Sequence, residues 1–422
     1  MKTNNTTDCR RNHFNSENPL TSGIFIFLLF TVFFGRKRPT TFQSLSLLFA
    51  PTYYEIGRGC FMKLSLCMIV KDEEKVLARC LSGIAEAVDE IIIVDTGSRD
   101  GTKEIAAGFT DKIYDFEWND DFSAARNFSF SRATGDFVMW LDADDVFSFE
   151  ELEKFIDFKK TLSEKDDIVM MKYECAFDED GNATFWFYRE RIFRRAAGFV
   201  WKGRVHESVG FSGNVRYSEV SVRHFSAKKE YGDRNLRIYE KQKAENEPFT
   251  PRDVFYYGRE LFYFKRYGEA EKTLLSFLED PEGWAENKTE ACKFLSEIFL
   301  MKNEAEKAVK ILFSSFLYGK PRAEICCRIG NIFVGKGDFE TAVFWYKTAL
   351  SADENVKSGA FINSEYSGFI PLIMLAFCSD RTGNIAEAEE YNRRAGIIRP
   401  KSAEYLYNLR YFEGLKKSEY KE

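Results

Sequence analysis

Val138-Met139-Trp140-Leu141-Asp142-Ala143-Asp144-Asp145 is an apolar run that stops in two carboxylates spaced one apart. That is the layout of a buried strand ending in a metal site. An Asp-x-Asp at the end of a central strand can hold a hard divalent cation, Mg²⁺ or Mn²⁺, by one or two carboxylates and leave positions open for diphosphate oxygens. Solvated loops collect acidic residues too, so the segment takes its meaning from what precedes it. Ile91-Ile92-Ile93-Val94-Asp95 is a continuous β-branched run of the kind found in a parallel strand buried on both faces, and it also ends in Asp. Turn chemistry follows in Thr96 to Thr102, with Asp100 available to cap a helix over 102–108. Upstream, Leu64 to Val70 reads as a strand, and Asp72 can cap a helix that turns Val76, Leu77, Cys80, Leu81 and Ile84 inward. Ile113 to Phe116 is a third short strand and 121–132 a helix. Alternating units of this length imply a mainly parallel sheet flanked by helices, with ligands bound beyond the carboxyl ends of the strands. Asp95 and Asp142 both lie at that edge.

Four segments in order now carry a resemblance: Leu-Cys-Met-Ile-Val-Lys-Asp-Glu-Glu (66–74), Val-Asp-Thr-Gly-Ser-Arg-Asp-Gly-Thr (94–102), Asn-Asp-Asp-Phe-Ser-Ala-Ala-Arg-Asn (119–127) and Leu-Asp-Ala-Asp-Asp (141–145). They resemble the successive motifs of family 2 glycosyltransferases with the GT-A fold. The likeness covers residues 63–145 and continues more loosely through Gly203 to Glu207 and Arg223-His224. It is closest to the subgroup with tetratricopeptide repeats behind the catalytic domain, which includes bacteriocin peptide S-glycosyltransferases. Asp72 stands where Asn is common and Arg99 where Thr is common; neither removes a carboxylate the chemistry needs.

The resemblance implies transfer of a sugar from a nucleotide-sugar donor, with UDP as the expected nucleotide, by metal-dependent, inverting direct displacement. Asp95 would accept hydrogen bonds from the base or ribose, Glu73 would border the same pocket, and Arg126 offers a planar fork suited to phosphate. Asp144, helped by Asp142, would bind the Mn²⁺ or Mg²⁺ that stabilises the departing diphosphate. Related enzymes place a final metal ligand where His224 ends the alternating segment Val220-Ser221-Val222-Arg223; a hydrogen-bonded structural histidine is the other reading of that residue. Glu207 is the candidate general base, since displacement at the anomeric carbon needs a carboxylate on the acceptor side, with a loop salt bridge as its ordinary alternative. Trp186 and Trp201 either stack on sugar or belong to the core.

After residue 235 the pattern becomes amphipathic helices with recurring small residues. Gly258 and Ala270, Ser296 and Ala308, Gly330 and Ala342, and Ala376 and Ala388 are pairs twelve apart, and Pro400 falls twelve after Ala388. That is the tetratricopeptide signature of closely crossing helix pairs. The pairs are separated by 38, 34 and 46 residues, so the first and last intervals exceed the usual repeat of about 34 and require longer helices or loops. Phe262, Phe264, Tyr267, Phe299, Phe333, Phe344 and Tyr346 are expected between helices. The resemblance and the repeat pattern together imply an α/β GT-A nucleotide-diphospho-sugar transferase domain over 62–235 followed by an all-α tetratricopeptide-like solenoid over 236–422. The solenoid offers a groove for a peptide, protein or glycan acceptor, or a surface for a homodimer or protein partner.

Residues 1–61 form a non-core extension. The apolar stretch 24–34 is shorter than the ~20 residues a membrane helix needs, and no small-residue cleavage site follows it. A mis-assigned start explains the segment best, because Met62-Lys63-Leu64 opens directly into the first strand; a membrane association is the other reading. A net charge of −6 argues against a nucleic-acid partner. The nine cysteines are odd in number, scattered and without metal or disulfide spacing, which points to a reducing cytoplasm. A nucleotidyltransferase would show a Gly-rich basic loop after the first strand, and Met68 to Glu74 is not one. A non-catalytic repeat scaffold with a degenerate front domain is the remaining alternative, and joint retention of Asp95, Asp142, Asp144 and His224 argues against it.

Overall fold

The computed structural model describes residues 62–225, 232–353 and 356–419, so the extension over 1–61 lies outside the described residues. The first part runs β1 (Leu64–Val70), α1 (Leu77–Ser82), β2 (Glu90–Asp95), α2 (Thr102–Ala107), β3 (Ile113–Asp115), α3 (Phe122–Ser131), β4 (Phe137–Trp140), β5 (Asp145–Val146), α4 (Phe149–Lys159), β6 (Ile168–Phe177), β7 (Ala183–Arg194), β8 (Trp201–Lys202), β9 (Ser208–Val209) and β10 (Val215–His224). The sheet order is β3-β2-β1-β4-β7-β6-β10-β5. The first four strands pair in parallel, with Val70 opposite Asp95 and Cys67 opposite Trp140. Beyond β4 the sheet turns mixed: β7 runs antiparallel to β4 and to β6, while β6 and β10 are parallel. The β6–β7 reversal is tight because Asp178 Oδ1 accepts from the amides of Asp180 and Asn182 and Gly181 takes φ +81. Leu66, Met68, Ile93 and Met139 meet Leu77, Leu81 and Phe155 in one buried cluster, each such side chain contributing about 1.5–3 kcal/mol on full burial.

Asp72 does not cap α1. It sits at φ +54, and its carboxylate accepts from Arg99 N at 2.8 Å, lacing the loop after β1 to the loop after β2. Helix α1 starts later, behind Val76, with no side-chain cap. Asp100 serves both loops, accepting from Thr102 N and Glu74 N.

The second part comprises α5 (Arg234–Ala244), α6 (Pro251–Tyr263), α7 (Tyr267–Glu279), α8 (Ala285–Met301), α9 (Ala305–Ser314), α10 (Ala323–Gly335), α11 (Phe339–Ser351), a short β11 (Ile362–Asn363), α12 (Phe369–Arg381), α13 (Ile385–Ile398) and α14 (Ala403–Glu419). Thr250 and Asp253 form a capping box and Pro251 takes N1, so the start of α6 is written into its sequence. The small residues sit where helices cross: a Cβ on Gly258 would lie 2.7 Å from Leu274 Cδ2, and one on Gly330 2.8 Å from Tyr346 Cζ. Ala270, Ala308, Ala342 and Ala388 are fully buried opposite them. The long first interval is absorbed by α8, which has 17 residues where α6 and α10 have 13. The long last interval holds β11, which adds to the sheet of the first part antiparallel to β7, Ile362 opposite Trp186 and Asn363 opposite Phe185. Phe361 stacks on Phe185 and meets Phe187 edge-on at 4.9 Å. Of the aromatic residues expected between helices, Tyr346 is fully buried, but Phe344 is 61% exposed and packs edge-on to Trp345 on the outer surface. Its position on α11 faces away from the adjoining helices. No helix among the described residues is long and apolar enough to cross a membrane.

Candidate active site

Backbone pairing assembles the first half of the site. β5 and β10 run antiparallel with His224 opposite Asp145, and Phe225 N donates to Asp144 O at 3.1 Å. This register brings ligand atoms of Asp144, Asp145 and His224 within 4.8 Å of one another. Asp145 is committed inward. Its Oδ2 pairs with Arg191 Nη1 at 3.0 Å, both side chains fully buried, and also accepts from Asp142 N. Its Oδ1 accepts from the Tyr173 hydroxyl at 2.8 Å, and that hydroxyl meets His224 Nδ1 at the same distance. The Asp144 carboxylate lies 3.4 Å from His224 Nδ1, a looser pairing than those of Asp145. Burial pushes its carboxyl above the usual range, Asp142, Asp145 and Glu73 add to the shift, and His224 opposes it. A carboxylate raised first by burial and further by neighbouring carboxylates is a place where a cation relieves repulsion. The donor set of carboxylate oxygens and one imidazole suits a hard or borderline divalent ion, with Asp144 and His224 better placed as ligands than Asp145.

The second half is held by Arg126. Helix α3, capped by Asp121, which accepts from Ala124 N, carries Arg126 into the interior. The guanidinium lies 4.2 Å from the Trp140 ring and 5.2 Å from that of Trp201. Its Nε donates to Glu207 Oε1 at 2.6 Å and its Nη2 to Asp142 Oδ1 at 2.9 Å. Burial alone would raise both carboxyls, but Arg126 outweighs it: Glu207 falls below its ordinary value and Asp142, with help from Arg191, falls to about 2. Trp201 is core, crossing Trp140 at 5.3 Å and 90°. Trp186 carries Lys172 over its ring at 4.7 Å.

Asp95 closes the floor at the end of β2. One oxygen accepts from Gly97 N and Ser98 N, both at 2.9 Å; the other is buried and meets no hydrogen-bond partner among the described residues. An orphaned buried oxygen is costly unless a ligand supplies a donor. Glu73 stands on the adjoining loop, its amide donating to Thr102 Oγ1 at 2.7 Å. The structure therefore gathers Asp142, Asp144 and His224 at one end of the sheet, with Glu73 within electrostatic reach of Asp144. It joins Arg126 to Glu207 and Asp142, and leaves Asp95 with a free acceptor. Sequence reasoning did not single out Arg191, Tyr173 or Asp145. No local signal marks Arg191, which stands in the charged stretch Arg189-Glu190-Arg191-Ile192-Phe193-Arg194-Arg195, where a buried arginine looks like a solvated one.

Residues 65–218 match the model for glycosyl transferase family 2, and residues 323–356 match a tetratricopeptide repeat model. A TPR repeat-containing protein of Synechococcus elongatus is 28% identical over 314 residues, 71% of this chain and 70% of that protein. The SPbeta prophage-derived glycosyltransferase SunS of Bacillus subtilis is 27% identical over 218 residues, 48% of this chain and 50% of SunS. An uncharacterized glycosyltransferase of Rickettsia typhi is 36% identical over 98 residues, 23% of this chain and 30% of the relative. The chain thus spans half the length of SunS and less than half that of the Rickettsia protein.

Proposed function

We propose, from the family 2 glycosyl transferase domain at residues 65–218 and the tetratricopeptide-type helices behind it, that this glycosyltransferase moves a sugar from a UDP-sugar to a peptide, protein or glycan acceptor by inverting direct displacement. The observation that carries the reading is the convergence of Asp144, Asp145 and His224 at the carboxyl end of the sheet, next to Asp142 at the end of β4. Asp144 and His224, with Asp142 alongside, would hold Mn²⁺ or Mg²⁺. Such an ion, when bound, stabilises negative charge on a leaving diphosphate. Asp95 would accept an N–H or O–H from the base or ribose through its unpartnered oxygen, with Glu73 at the rim of the same pocket. Arg126 orients Asp142 and presents positive charge beside the diphosphate. Glu207 is the acceptor-side base. Because Arg126 holds its carboxyl below the ordinary value, it is ionised at neutral pH, and it would take the nucleophile's proton on the oxygen other than the Oε1 that holds Arg126.

The domains divide near residue 235, with the repeats beyond it binding the acceptor or a partner, including a second copy. All seven cysteines among the described residues are free, which suits a cytoplasmic location. The test is release of UDP from a panel of UDP-sugars, incubated with the full chain and Mn²⁺, against Asp144→Ala and Glu207→Gln. Metal-dependent release that disappears in Asp144→Ala supports the reading; release unaffected by EDTA and by Asp144→Ala counts against it.

A further inference from the structure

Between β8 and β9 the chain takes two left-handed steps, at Gly203 with φ +98 and at His206 with φ +52. Glycine adopts such a conformation freely; a histidine needs its surroundings to hold it there. Those surroundings come from α6, the helix that opens the repeats. Glu260 Oε1 lies 2.9 Å from His206 Nε2, and Arg259 Nη2 lies 3.2 Å from Nε2 and 3.4 Å from Nδ1. The ring stacks on Tyr256 at 4.2 Å and 18°. Arg252 Nε donates to the His206 carbonyl at 2.8 Å, and the guanidiniums of Arg252 and Arg259 both lie over Tyr256. Burial, with Arg259 adding to it, takes the His206 imidazole down to about 4. The ring then carries one N–H, which fits donation from Nε2 to Glu260, whose carboxylate can only accept. The next residue in the chain is Glu207, whose carboxylate holds Arg126.

We propose that His206 is a positioning residue through which the first repeat helix sets Glu207 against Arg126, and thereby limits how strongly Arg126 occupies Asp142. The inference rests on the reading of Asp142 as part of the donor site. Without Glu207 in place, the buried guanidinium has only Asp142 left among these two carboxylates and neutralises a group the metal and diphosphate need. The transferase site is then not independent of the repeats: α6 completes it. Adjacent contacts agree with this, since Phe122, at the start of the helix carrying Arg126, donates its N–H to Arg204 O at 2.9 Å and packs with Trp118 in the core built around α5 and α6.

Calorimetric titration of UDP into the full chain with MnCl₂ tests this on Glu260→Ala, Glu260→Gln and His206→Asn. Gln keeps an oxygen that accepts the Nε2 proton. Asn tolerates positive φ but cannot make the ring contacts. Affinity for UDP with Mn²⁺ is expected to fall by about tenfold in the Ala and Asn variants, the scale on which residues that orient metal ligands act, and to stay near wild type in Glu260→Gln. Wild-type affinity in either folded variant, or a loss in Glu260→Gln equal to that in Glu260→Ala, overturns the proposal. If Glu260→Ala fails to fold by circular dichroism, His206→Asn decides alone. Absence of UDP binding by the wild-type chain with Mn²⁺ is a different result: it removes the transferase reading, and this inference with it.

Discussion

His224 and His206 mark two regions that treat the same side chain in opposite ways. At the sheet end, burial would lower His224, but Asp145, Asp144 and Asp142 more than offset it and the imidazole is raised. At the junction with α6, burial and Arg259 act together and His206 falls to about 4. The first region carries a surplus of carboxylates around its histidine and is built to attract a cation. The second sets its histidine between one carboxylate, Glu260, the guanidinium of Arg259 and the face of Tyr256, and burial with Arg259 keeps the ring from gaining a charge. On the proposed reading the difference assigns the binding chemistry to β5 and β10, and to the junction the placing of Glu207.

The comparison breaks most severely at Arg191. Its replacement by Met leaves Asp145 buried without its counter-ion, and the expected loss is about 3–5 kcal/mol of folding stability. Urea unfolding measures this; a change below about 1 kcal/mol would mean that Asp145 does not depend on the pair.

Acid titration of stability contrasts the two histidines directly. The folded value of His206 lies below the ordinary 6.5, so the unfolded chain takes the proton first as pH falls. Its stabilising contribution is complete above the unfolded value and is lost between pH 6.5 and about 4, in total on the order of 3 kcal/mol. His224 has the opposite sign: its contribution is present below the unfolded value and lost as pH rises through the raised folded value. Replacement by Asn at 206 should flatten the acid side of the stability curve; parallel curves for wild type and variant across that window would contradict the assignment.

Gly330→Ala sharpens the comparison from the repeats. The added Cβ meets the Tyr346 ring at 2.8 Å, and overpacking should cost about 1–3 kcal/mol while leaving nucleotide affinity unchanged. A thermal midpoint equal to wild type would show that α10 and α11 do not cross as closely as the small residues imply. Tyr173→Phe is the gentlest probe. It removes a hydroxyl shared by Asp145 and His224, with an expected loss of about 1 kcal/mol and a weakened Mn²⁺ affinity by titration; unchanged metal affinity would separate Tyr173 from the site.

Much of this was legible in the sequence for a physical reason. Parallel strands buried on both faces must be continuous apolar runs, so Ile91 to Val94 and Val138 to Leu141 announce themselves, and the carboxylates that end them mark the ligand edge. Helix crossings exclude side chains, so the paired small residues expose the repeats. What stayed hidden depends on long-range pairing. Arg126 and Glu207 are 81 positions apart, and nothing local tells a paired carboxylate from a free one. Asp145 turns inward only because Arg191, on another strand, waits for it. β11 is two residues long and lies inside a gap between repeats, where only the 46-residue interval hinted at extra structure. Asp72 looked like a helix cap because local spacing permits it, yet the loop after β2 claimed its carboxylate.

The central claim is that Asp144 at the sheet end holds the metal through which a nucleoside diphosphate binds. Isothermal titration of UDP into the full chain, with Mn²⁺ and again with EDTA, for wild type and Asp144→Ala, tests it most directly. The account predicts binding that requires Mn²⁺ and weakens by more than about 100-fold in the variant. Failure of the wild type to bind UDP with Mn²⁺ present, or equal binding by Asp144→Ala, would contradict it.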